Sequence, residues 1–64
     1  MYRVVLNNAS GKLVKNYHYT GYTVEDIEVI FKDFIKELPS GWYADVFDCD
    51  SDNEPSKKLL KTIK

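Results

Sequence analysis

A 64-residue chain with one histidine and one cysteine has few routes to covalent chemistry. Those residues are His18 and Cys49. A general base and a nucleophile must lie about 3 Å apart, with a third group orienting the base and a pocket enclosing both. A chain this small rarely encloses such a pocket, so the sequence reads as a non-enzyme and His18 as a half-buried strand residue. The run from Asp48 to Glu54, DCDSDNE, sets Asp48, Asp50 and Asp52 at the first, third and fifth positions of a calcium loop, where alternate carboxylates converge on a hard cation. The match stops there. Asn53 stands where the loop needs glycine, and Leu59 stands where it needs a bidentate glutamate. An acidic hairpin loop is the better reading, and neither metal nor other cofactor is expected.

The formal charge of −1 conceals a segregation along the chain. Residues 1–24 hold Arg3, Lys12 and Lys15 and no acid, for +3; residues 25–54 hold all ten acids against Lys32 and Lys36, for −8; residues 55–64 hold four lysines, for +4. Arg3, Lys12 and Lys15 beside Tyr17 and Tyr19 could serve a small nucleic-acid-binding regulator, cations meeting phosphates and rings stacking on bases. The pI near 5.7 and the acidic middle segment oppose that use. The inverse arrangement fits the charge better. A compact acidic surface beside exposed apolar groups can occupy the DNA groove of a DNA-handling enzyme, its carboxylates standing in for phosphates and its apolar part gripping a protruding side chain. No direct nucleic-acid contact is then expected.

The stretch from Thr23 to Leu38 is the one segment whose periodicity, start and stop all agree on a helix. Val24, Ile27, Ile30, Phe31, Phe34, Ile35 and Leu38 recur at helical spacing. Thr23 is an N-cap, Tyr22 and Ile27 are placed for a hydrophobic staple, and Pro39 with Gly41 ends the run. Val29 falls off the main stripe, leaving the helix apolar on a second side. Tyr2 to Leu6 reads as a strand, Asn7 to Lys12 as a hairpin turn with Gly11 in the left-handed position, and Leu13 to Tyr19 as a second strand with exposed tyrosines. Trp42 to Cys49 is a third strand. Ser56 to Lys64 fits a helical turn or a strand, with a strand pairing on the third preferred. The expected architecture is α+β, a single domain with one helix on a three- to four-stranded antiparallel sheet, in the order β-β-α-β with a possible final strand.

A chain of this length hides only about 60% of its unfolded surface and has no internal disulfide to help it, so self-association is expected. No run approaches the roughly 20 apolar residues of a membrane span, and the first residues lack the apolar core of a signal peptide. The lone thiol suits a reducing cytoplasm.

Taken together, these residues resemble the short dimeric inhibitors of uracil-DNA glycosylase made by some bacteriophages. The resemblance rests on Tyr2 opening the first strand, Gly11-Lys12 in the turn, Tyr17-His18 in the second strand, Gly21, and Asp26-Ile27-Glu28-Val29-Ile30-Phe31 in the helix. It covers roughly residues 2–31. It implies a homodimer in the host cytoplasm with an apolar pocket for the leucine that the glycosylase wedges into DNA. Ile27, Ile30 and Phe31 would line or support that pocket, with Asp26 and Glu28 on its acidic rim and Tyr17 beside it. Asn16 stands where the family has a glutamate and Phe31 where it has a tyrosine; Asp45, Asp48, Asp50 and Asp52 are the acids that could replace the missing one.

Overall fold

The hairpin turn forms because Asn8 organises it from both sides. Its side-chain oxygen accepts from the backbone N–H of Ser10 and of Lys12, each at 3.0 Å, while its carbonyl accepts from Gly11 at 2.9 Å. Gly11 has φ +83, the left-handed value that the turn requires. The chain is thereby folded back on itself in this computed structural model, which describes residues 1–48 and 58–64. The elements are β1 (Tyr2–Asn7), β2 (Leu13–Tyr19), α1 (Val24–Lys36), β3 (Tyr43–Asp48) and β4 (Lys58–Ile63). They build an antiparallel four-stranded sheet in the order β2-β1-β3-β4, with the helix packed on one face. The expected α+β architecture is present, and the final strand is β4.

Alternation along the strands sorts residues between the two faces. Val4, Leu6, Ala44, Val46 and Ile63 are buried on the helix side. The far face carries Arg3, Val5 and Asn7 from β1, Asn16 and His18 from β2, and Asp45 and Phe47 from β3. Ile27 and Phe31 close the core against Val4, Ala44, Val46 and Ile63. The sheet edges, β2 and β4, carry Lys15, Lys58 and Lys61 and no acid, which discourages strand-to-strand association.

The helix has 13 residues, a length that is marginal in isolation. Its start is a reciprocal capping box: Thr23 Oγ1 accepts from the Asp26 N–H and an Asp26 carboxylate oxygen accepts from the Thr23 N–H, both at 3.1 Å. Tyr22, just before the cap, stands edge-on to Tyr19 with centroids 5.1 Å apart. The helix stops at Lys36 rather than Leu38. There the backbone tightens, with Leu38 N–H donating to the Ile35 carbonyl at 3.0 Å. β3 is likewise shorter than expected: Trp42 donates its N–H to the Pro39 carbonyl at 3.4 Å and belongs to the turn, while Cys49 lies outside the described residues.

Gly41 locks this turn against the hairpin. Its φ is +92, and a Cβ added there would sit 2.8 Å from the Ala9 Cβ. Gly41→Ala is expected to destabilise the fold by about 1–3 kcal/mol in urea unfolding, from backbone strain and displacement of the hairpin tip. An unchanged unfolding midpoint would show that the turn does not pack on Ala9.

Candidate partner-binding surface

Helical geometry divides α1 into three strips, at about 100° per residue. Ile27 and Phe31 point into the core, 0% and 2% exposed. One flank carries Glu28, which meets Lys61 of β4 at 2.7 Å and Lys32 at 3.7 Å. The helix is thus seated over β3 and β4 and leaves β1 and β2 to be covered by rings. Phe31 is the hub of those rings. It meets Tyr17 at 5.2 Å, Tyr19 at 5.9 Å and Phe34 at 6.0 Å between centroids, all edge-to-face. Such pairs contribute about 0.5–1.5 kcal/mol each beyond their burial. Tyr17 and Tyr19 were expected on an exposed face; they lie instead on the helix side, because Phe31 and Phe34 reach over them where the helix backbone does not. Lys15 extends along this cover, its ammonium 5.2 Å from the Tyr17 ring centroid.

The apolar excess of the helix emerges along an outward strip that broadens from Val29 onto the flank opposite Glu28, where Ile30 and Phe34 lie about 100° and 140° round the axis from it. Val29, Ile30 and Phe34 are 65%, 41% and 37% exposed. Glu25 and Asp26 lie one turn before them and Asp33 beside them. The acids are therefore separated by about 11 Å along the axis, with Val29 and Ile30 between them and Phe34 just beyond Asp33. Asp33 is shared with Lys36 at 3.6 Å, an exposed pair worth little. Asp26 remains an exposed carboxylate while capping the helix.

The residues singled out from the sequence are not gathered in one place, and Glu28 lies on the flank against Lys61. Asp26 and Ile30 are on or beside the outward strip. Ile27, Phe31 and Tyr17 are packed beneath it and support it without being open to a partner. Asn16 and Asp45 are on the far face of the sheet, where Asp45 accepts from Thr62 Oγ1 at 2.8 Å and from Asn7 Nδ2 at 3.2 Å. Asp48 is exposed at the end of β3. Asp50 and Asp52, and with them the calcium-loop pattern, lie outside the described residues. His18 is exposed, its Nε2 accepting from Arg3 Nε at 3.4 Å. Val29 and Phe34, flagged by periodicity alone, are exposed. The Glu28–Lys61 pair was hidden from the sequence because it requires knowing on which strands the helix rests.

Two titratable groups register this packing. The hydrogen bond from Lys61, reinforced by the charges of Lys61 and Lys32, holds the Glu28 carboxyl below its ordinary value of 4.5. Burial, then the neighbouring Tyr17 and Tyr19–Tyr22 contacts, pushes Tyr19 above its ordinary 10.0. A depressed acid stabilises the fold above its unfolded pKa and loses that contribution as pH falls through the folded one. Glu28→Gln is therefore expected to flatten the acid limb of a stability-against-pH curve below about pH 4.5, as read by thermal melts. An acid limb identical to that of the parent would remove the Glu28–Lys61 clamp from consideration. Compared with known proteins, the chain matches no family model, no curated protein and no solved structure.

Proposed function

We propose that this chain is a non-catalytic inhibitor that occupies the DNA site of a uracil-DNA glycosylase as a homodimer in the cytoplasm of a phage-infected host. The observation that carries this is the exposed part of α1: Ile30 and Phe34 on the flank opposite Glu28 and Val29 on the outward face, beside the exposed acids Glu25, Asp26 and Asp33. Exposed apolar groups rimmed by charge mark interaction surfaces. An enzyme that inserts an apolar wedge into DNA presents both a hydrophobic tip and surrounding cations, so it would find its complement here. The placement of the side chains refines the roles. Ile27 and Phe31 hold the strip from below, Ile30 and Phe34 meet the partner, and Glu28, already neutralised by Lys61 and Lys32, gives up its place on the rim to Glu25 and Asp33.

The test is uracil excision from a labelled oligonucleotide by a bacterial glycosylase at equimolar inhibitor. Loss of excision is expected from a duplex without terminal phosphates, with no binding of the protein to that duplex. Ile30→Asp, on an exposed position that the fold tolerates, is expected to weaken inhibition by about thirtyfold or more, the scale of an interface anchor. Asp33→Lys is expected mainly to slow association and reduce its salt dependence. Undiminished excision in the presence of the parent protein would refute the proposal.

A further inference from the structure

Where α1 ends and β3 begins, an open groove of about 860 Å³ is lined by Trp42, Tyr43, Asp45, Thr62, Lys36 and Lys64, with Ile35 contributing an apolar wall. Single side chains leave such a volume mostly empty, whereas small-molecule sites typically span about 300–1,000 Å³. Its polar groups differ in kind. Asp45 is a positioned acceptor: Thr62 Oγ1 donates to one carboxylate oxygen at 2.8 Å, and Asn7 Nδ2, from a residue only 6% exposed, donates to the other at 3.2 Å. Asn7 is itself steadied by a bond to the Val5 carbonyl at 3.2 Å. Each Asp45 oxygen keeps a lone pair for a ligand. Lys36 and Lys64 line the same groove as this single carboxylate, Lys64 beside it and Lys36 while also paired with Asp33 at 3.6 Å outside the groove lining.

An aromatic wall, two cations and a fixed acceptor select among ligands. A phosphorylated sugar offers the indole only a C–H face with no π system to stack, and a fatty acid has no donor for Asp45. A nucleotide satisfies all three: rings stack on bases without regard to sequence, ammonium groups bind phosphate, and a carboxylate accepts from ribose hydroxyls or exocyclic amines. We propose that this groove binds a nucleotide, with its base on Trp42, its phosphate between Lys36 and Lys64, and a hydroxyl or amino group donating to Asp45. The site uses none of the residues of the outward strip, so it stands or falls independently of the inhibitor function. The nucleotide is either a free monophosphate or the end of a single strand, which share this chemistry.

Trp42 is the sole tryptophan and reports on the groove directly. Its fluorescence, excited at the red edge of the band where nucleotides do not absorb, is followed while AMP, adenosine or a short 5′-phosphorylated single strand is added to the full chain. Saturable quenching by AMP is expected, with adenosine about tenfold weaker for want of the phosphate contact. Lys64→Glu, on an exposed terminal residue, is expected to lose a similar factor for AMP and little for adenosine. Asp45→Asn should weaken both, and a circular dichroism spectrum matching the parent separates that loss from unfolding. Equal affinity for the strand and for AMP identifies a free nucleotide, and tighter binding of the strand identifies a strand end. Absence of saturable quenching, or Lys64→Glu and Asp45→Asn variants that bind as the parent does, would overturn the proposal.

Discussion

The structure depends on one contact: the insertion of Ile27 and Phe31 from α1 between the strands' inward residues Val4, Ala44, Val46 and Ile63. A 13-residue helix is not stable alone, and a twisted sheet open on both faces is not stable either, so each exists because the other covers it. Loss of a buried phenylalanine typically costs about 3–5 kcal/mol, against a total of about 5–15 kcal/mol for a domain. Phe31 also anchors the rings of Tyr17, Tyr19 and Phe34, so the same side chain that seals the core over β3 and β4 extends the cover to β2.

That economy has a consequence for the surface. One helix cannot span four strands, and the chain resolves the mismatch by seating α1 to one side, tied down by Glu28 to Lys61. The opposite flank and the outward strip are then left with more apolar surface than a monomer of this size needs, while acids concentrated in the first helical turns keep that surface soluble and favour the helix start. Stability and a proposed recognition surface thus arise from the same amphipathic segment. The far face of the sheet is built differently, with Asn7, Asp45 and Thr62 joined into a hydrogen-bonded row beside an aromatic groove.

Much of the architecture was legible in the sequence because local and global signals agreed. The capped helix, the Asn8–Gly11 turn and the alternation of β1 follow from propensity and period, whereas the last residues fit a helical turn as well as the strand that forms there. What was not legible depends on register. Whether Tyr17 and Tyr19 face the helix or solvent is decided by a two-residue period that reads the same either way, and the tie is broken by Phe31, which comes from another element. Asp45 and Thr62 are seventeen residues apart, and their pairing is fixed only once β4 is aligned on β3. Candidate acids were legible as a cluster, yet their roles separated: Asp26 caps and stays exposed, Glu28 is neutralised, and Asp45 turns to the other face. Exposure of Val29 was visible as a break in the stripe.

The most direct test of the proposed interface is methyl NMR of the isotopically labelled chain titrated with a bacterial uracil-DNA glycosylase. Perturbation confined to the methyl groups of Val29 and Ile30, with Val5 and Val14 on the far face unmoved, is the expected result. Perturbation centred on Val5 and Val14, or a spectrum that does not change on addition of the enzyme, would contradict the assignment of the outward strip of α1 as the partner-binding surface.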